Sequence, residues 1–155
     1  MNHVTQGKRL LKAVFLERLP IVLANADAEA ADGFSTLVPF EINTFDKASI
    51  DGLPSIELIV TDSSKQSDSV AAVYRHRVVV GISYGGDSEE AITVAVERYI
   101  WAIRKIAKDS QLGQYAGAGP LDTGGEQYTP MGRAEKVESP FVKGAFIEVF
   151  ITTLE

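Results

Sequence analysis

Ser69-Val-Ala-Ala-Val-Tyr-Arg-His-Arg-Val-Val-Val-Gly-Ile-Ser83, then Tyr84-Gly-Gly-Asp87, then Ser88-Glu-Glu-Ala-Ile-Thr-Val-Ala-Val-Glu-Arg-Tyr-Ile-Trp-Ala-Ile-Arg-Lys-Ile-Ala-Lys108 is the stretch that sets the architecture. Its first part alternates. Val70, Ala72, Tyr74, His76, Val78, Val80 and Ile82 fall on one side, with Ser69, Arg75, Arg77 and Ser83 on the other. Successive side chains on a strand point to opposite faces, so this pattern predicts a strand with one apolar and one wet face, as in antiparallel sheets. The third part has a different period. Ile92, Val96, Tyr99, Ile103 and Ile106 recur at steps of four and three, which predicts an amphipathic helix. Thr93, Glu97, Arg98, Arg104 and Lys105 form its largely polar side. Asp87 or Ser88 caps the free amides of the first turn. Glu89 and Glu90 at the start and Arg104, Lys105 and Lys108 at the end complement the helix dipole. Val94 and Trp101, one step of seven apart, either widen the core stripe or face another subunit, where Trp is enriched.

The stretch Gly81 to Ser88 has the spacing of a phosphate-binding loop, with Asp87 where that motif requires Lys. A carboxylate there repels the phosphates that the Lys would neutralise. Gly85 and Gly86 are therefore expected to make a tight turn and Asp87 to cap the helix.

Outward from this unit, Leu10, Leu11, Val14, Phe15, Leu19, Val22 and Leu23 predict a first helix over 4–26, capped by Thr5 or Asn2, with a kink or break after Leu19 because Pro20 removes an amide. Ala26 to Gly33 reads as loop or frayed helix. Leu37 to Ile42 reads as a short edge strand, where Pro39 is tolerated. Pro54 to Thr61 reads as a strand and Asp62 to Asp68 as a polar loop, so strand and central strand form an antiparallel hairpin. The short first strand covers only half of the second. Phe141 to Thr152 is the expected partner of the remaining half, Val78 to Ser83. Long loops are expected at about 27–53 and 110–140. The second, which includes Tyr115, Tyr128 and Arg133 and in which Gln127 to Thr129 can be read as a short strand, is either a subunit-contacting loop or disordered. Together these readings predict one α+β domain over 1–155: a mostly antiparallel sheet of about four strands against two main helices, in the order α-β-β-α-β.

The 155 residues suffice for one real core. Against 15 Lys and Arg stand 21 Asp and Glu, a net charge of −6, which argues against a general phosphate-backbone binder. There is no Cys, so no disulfide and no thiolate metal site. No apolar run is long enough to span a membrane, and Glu17 and Arg18 interrupt the pattern of a signal peptide. Of the two histidines, His3 lies near the terminus and His76 on the apolar strand face, where a satisfied core residue is the expected role. No nucleophile-elbow pattern supports a catalytic set. The expectation is no enzyme, no cofactor and no metal.

Several features together resemble the tail terminator (tail completion) proteins of long-tailed bacteriophages and related particles. They are the first helix with Arg18-Leu19-Pro20, the strand Pro54-Ser-Ile-Glu-Leu-Ile-Val60, and the long strand ending Val78-Val-Val-Gly-Ile-Ser83. The helix carrying Glu97-Arg-Tyr-Ile-Trp-Ala-Ile103 and a late closing strand complete them. The resemblance covers most of 5–152 and leaves 110–140 unmatched. It implies a homo-oligomeric ring, expected to be a hexamer, on the last ring of the tail tube. Such a ring ends tube polymerisation and joins the tail to the head connector. The expected location is the virion, with the host cytoplasm during assembly. DNA would pass the lumen without specific binding, since like charge weakens phosphate contacts. Arg75, Arg77, Arg98, Trp101, Tyr115, Tyr128 and Arg133 are the expected subunit or partner contacts. The alternatives are another neck or tail-tube-like protein of such a particle, or a small enzyme or ligand-binding domain.

Overall fold

The computed structural model describes residues 3–44, 51–67, 73–109, 118–133 and 139–154. Helix α1 spans His3–Ala30, followed by strands β1 (Glu41–Asn43), β2 (Ser55–Ser67) and β3 (Val73–Gly86). Helix α2 spans Glu89–Lys108, and strands β4 (Ala118–Tyr128) and β5 (Phe141–Leu154) close the chain. The strands form one sheet in the order β1-β2-β3-β5-β4. All neighbours are antiparallel except β1 and β2. The protein is thus α+β, with α2 where its periodicity puts it; the central strand is β3, which runs to Gly86, past the expected end at Ser83, while Ser69 to Ala72 lie outside the described residues.

Both helices pack on one face of the sheet. That face supplies Ile56 and Leu58 from β2, Val78, Val80 and Ile82 from β3, and Ala145, Ile147, Val149 and Ile151 from β5, all buried. Leu11, Val14, Phe15, Leu19, Val22 and Leu23 of α1 and Ile92, Val96, Tyr99, Ile103 and Ile106 of α2 fill the other side of the core. Ser88 caps α2, its hydroxyl accepting from the Ala91 amide at 3.2 Å. This satisfies one of the orphan donors of the first turn.

Several expectations are corrected. The break expected after Leu19 does not occur: α1 runs through Pro20 to Ala30, its buried side packed against the sheet and α2. Thr5 lies inside α1 and does not precede it; Asn2 is outside the described residues. Asp62 to Ser67 belongs to β2, since the backbone of this polar stretch is paired with β3 from Arg77 to Val73. Strand β5 pairs with Val78 to Ser83 as expected, but it does not take over where β2 stops, since β2 pairs with those residues too. It lies along the opposite edge of β3 and pairs with it over all 14 residues. Gly85 and Gly86 make no turn; they pair with Val142 and Phe141 at the end of β3. The region 110–140 contains β4, which pairs with β5. Residues 110–117 and 134–138 are outside the described set. The edge strand expected over Leu37 to Ile42 is β1, shifted to Glu41–Asn43 and lying at the sheet edge.

His76 shows how tightly the layers meet. It is fully buried. Its Nδ1 shares a hydrogen bond with Ser63 Oγ at 2.7 Å and its Nε2 one with Thr153 Oγ1 at 2.8 Å. A Cβ at Gly7 of α1 would lie 3.1 Å from the imidazole Cδ2, so the glycine lets the helix approach the ring. Buried between two hydroxyls and a helix, the imidazole packs as a core residue.

Candidate functional site: exposed faces of the layered domain

The sheet has helices on one side only. On its other side Ile59 and Phe146 are 37% and 43% exposed, and Val79 and Phe150 are half-buried on the same face. Phe146 lies over Gly81 of the neighbouring strand, where a Cβ would come 3.3 Å from the ring. Shallow troughs of about 220 Å³ and 310 Å³ flank this ring. The first is lined by groups such as Ser55, Glu57 and Thr129, the second by Arg77, Gln127 and Glu148.

Arg75 and Arg77, two expected contact residues, lie on this open face. The Arg75 guanidinium sits 4.1 Å from the centre of the Phe150 ring, a cation–π arrangement. Arg77 Nε donates to Glu148 Oε2 at 2.8 Å. That bond raises the pKa of Arg77 above its ordinary value, with the charge of Glu148 adding to the effect. Both side chains are exposed and braced by β5.

Arg98 is placed differently from expectation. It is only 9% exposed and turns toward the α1–β1 connection, away from the polar side of α2. One guanidinium nitrogen donates to Asp27 Oδ1 at 2.7 Å and to the Phe34 carbonyl at 3.1 Å, and another donates to Asp32 Oδ2. The hydrogen bond to Asp32 is the main reason its pKa is raised. For Asp32 the same bond is the largest cause of a lowered pKa. For Asp27 burial pushes upward, but hydrogen bonds from the Thr36 amide and hydroxyl and from Arg98 outweigh it and the pKa falls. This cluster brackets the connection to α2 from within the chain.

Two buried tyrosines extend the bracket. Tyr99 donates to the Leu37 carbonyl at 2.6 Å, and the Leu37 amide donates to Tyr84 at 2.9 Å. Burial raises the pKa of both phenols. The backbone of Leu37 is thus gripped while its side chain and those of Val38 and Phe40 are 59%, 50% and 66% exposed.

Trp101 is 40% exposed, with the Lys105 ammonium 4.9 Å from its ring centre. It borders a trough against Ala26, Glu29 and Ala30 of α1. Tyr128 lies on β4, 40% exposed, on the helix side of the sheet. Burial and then Glu126 and Glu97 raise its pKa. Arg104 holds β4 to α2 through Thr123 Oγ1 and the Gly124 carbonyl, both at 3.1 Å, and Glu126 at 3.5 Å. Arg133 is exposed beyond the bridge between Gly132 and Val142. Tyr115 lies outside the described residues. The expected contacts therefore do not form one patch: Arg75 and Arg77 share the open sheet face, and Trp101 and Tyr128 belong to the helix side.

Sequence reasoning passed over the outer side of α1. Ala13, Leu16, Glu17, Pro20, Ile21, Ala24 and Ala28 are all exposed, Leu16 and Ile21 each 57%. Spacings of three and four place them on one helical face. The signal was present in Leu16, Pro20 and Ile21, but Arg9, Glu17 and Asn25 at the same spacing made the face read as polar beside the stronger core stripe.

No protein-family model and no curated protein matches the chain. Among solved structures, a chain described as "Virion of native gene transfer agent (GTA) particle" is similar at 15% identity and a TM-score of 0.46. The likeness covers 74% of this chain and 78% of that one. At that level it assigns no role. Among the described residues no helix is long and apolar enough to cross a membrane, and no group of three or more His, Asp or Glu side chains is placed to hold a metal ion.

Proposed function

We propose that this protein is a structural virion protein: a ring-forming tail terminator that caps the tail tube, ends its polymerisation and joins the tail to the head connector. The terminator role rests on the resemblance carried by Arg18-Leu19-Pro20, 54–60, 78–83 and 97–103. The observation that carries the assembly reading is the amount of large apolar surface held outward by a well-packed domain. Leu16, Ile21, Leu37, Val38, Phe40, Ile59, Trp101, Tyr128 and Phe146 are each at least 37% exposed. They fall on several faces, the outer side of α1, the stretch before β1 and the open side of the sheet, and the reading takes these faces as sites of contact. In this reading the partners are further copies of the chain, the last ring of tail tube and a neck protein of the head. DNA passes through a lumen whose acidic wall does not grip it, consistent with the net charge of −6.

The test is to mix the purified protein with growing tail tubes and image them by negative stain. Rings on one end of each tube, with growth stopped, are expected. Tubes that stay uncapped and lengthen would overturn the terminator role, and capping at the head side without any effect on tube length would favour another neck role.

A further inference from the structure

We infer that the outer face of α1 in one copy packs against the open sheet face of the next copy, around Ile59, Val79, Phe146 and Phe150. This deepens the ring reading above and rests on it for the closure of the assembly.

Both sides of the layered domain carry uncovered apolar surface. Helix α1 buries one apolar stripe against the sheet and shows a second one outward, Leu16, Pro20 and Ile21 between Ala13 and Ala24. This second stripe, set among Arg9, Glu17 and Asn25, is not covered by its own chain. The sheet has its helices on one face and, on the other, exposed Phe146 and Ile59 among the charged Arg75, Arg77 and Glu148, with Arg75 over the Phe150 ring. The two apolar faces are on opposite sides of one molecule, so neither can cover the other within it. A helix-to-helix contact between two copies would leave the sheet bare. A head-to-tail contact covers both, and a head-to-tail contact whose rotation closes makes a ring.

Dimensions favour a second copy as occupant. With 28 residues, α1 is roughly 42 Å long at 1.5 Å per residue. Half the wall of a cylinder of that length and about 11 Å diameter is on the order of 700 Å². One partner in a stable complex contributes about 800 Å². Strands β3 and β5, of 14 residues each, run roughly 46 Å at 3.3 Å per residue, so the sheet is long enough to receive the helix. The troughs on both sides of Phe146 give that ring room to sit between side chains of an incoming helix.

The absence of cysteine makes the test clean. Leu16→Cys and Phe146→Cys are made in separate chains, both at exposed positions. A short bis-maleimide is then added to each sample and to their mixture. Cross-linked dimer is expected in the mixture and not in either sample alone. A second arm measures sedimentation of Leu16→Asp and Phe146→Asp, each expected to weaken self-association at least tenfold while leaving the circular dichroism spectrum unchanged. Cross-linking in the mixture no greater than in the single samples, cross-linking of Leu16→Cys with itself, or wild-type association of both Asp variants would each overturn the contact. Tubes capped by a protein that fails these tests would leave the terminator reading standing. Rings that pass them and leave tubes uncapped would sink that reading and keep the contact.

Discussion

The two helices are built on opposite terms. Helix α2 carries its own instructions: a Ser88 cap, Glu89 and Glu90 in the first turn, Lys105 and Lys108 in the last, and one sharply defined apolar face. Helix α1 has no acid in its first turn, no base in its last, a proline in its interior and apolar residues on both sides. Local terms such as caps and dipole charges contribute tenths to about 1 kcal/mol each, so α2 is favoured before it packs. Helix α1 depends on what it touches, first the sheet and α2, and in our reading a second copy. An apolar outer face kept without local support is a feature for assembly to explain.

The largest effect expected from this contrast is in the core of α2. Ile103→Ala should cost about 2–5 kcal/mol, as buried Ile truncations do, read as a fall in the urea midpoint. Leu16→Ala on the exposed face of α1 should change monomer stability by less than about 0.5 kcal/mol. Equal losses at the two positions would erase the contrast.

Next is the bracket that ties α1 to α2. Arg98→Met should cost about 2–3 kcal/mol. That is less than the full penalty for breaking a buried ion pair, because the Asp32 side chain is 35% exposed. The pH dependence has a definite sign. Asp27 and Asp32 have folded pKa values below their ordinary 3.8, so the folded state binds fewer protons in acid. Their contribution is complete above that value and is lost as pH falls through the lowered folded values. Thermal melts of wild type and Arg98→Met should therefore converge below pH 3.8 and separate above it. Parallel curves would remove these carboxylates from the account.

Pro20 gives an effect of the opposite sign. A proline within a helix forfeits one hydrogen bond and strains the preceding turn. Pro20→Ala should stabilise the monomer by about 1–2 kcal/mol, below the full difference of about 3 because the unfolded chain also gains freedom. Chemical denaturation at low protein concentration reads this. No gain would mean that α1 has already accommodated the ring at no cost.

The smallest expected effect is at the cap. Ser88→Ala should cost about 1 kcal/mol, the loss of one side-chain acceptor for the Ala91 amide. An unchanged midpoint would show that α2 leans on packing as much as α1 does.

The central strand, the helix after it, the buried faces of both and the α+β class were all legible in the chain before any fold was known. Each of those is written in a local period: alternation from Tyr74 to Ile82, and steps of three and four from Ile92 to Ile106. A burial pattern that repeats within one element can be read without knowing the neighbour. The rest came from long-range packing. Asp62 to Ser67 and Ala118 to Tyr128 are strands although the first is polar and the second rich in glycine, because β3 and β5 satisfy their backbone groups. Arg98 is buried because carboxylates 71 and 66 residues away meet it. The open faces, too, exist only once both helices have chosen the same side of the sheet. An exposed apolar residue is recognisable in a sequence only after the fold has determined which apolar residues are covered.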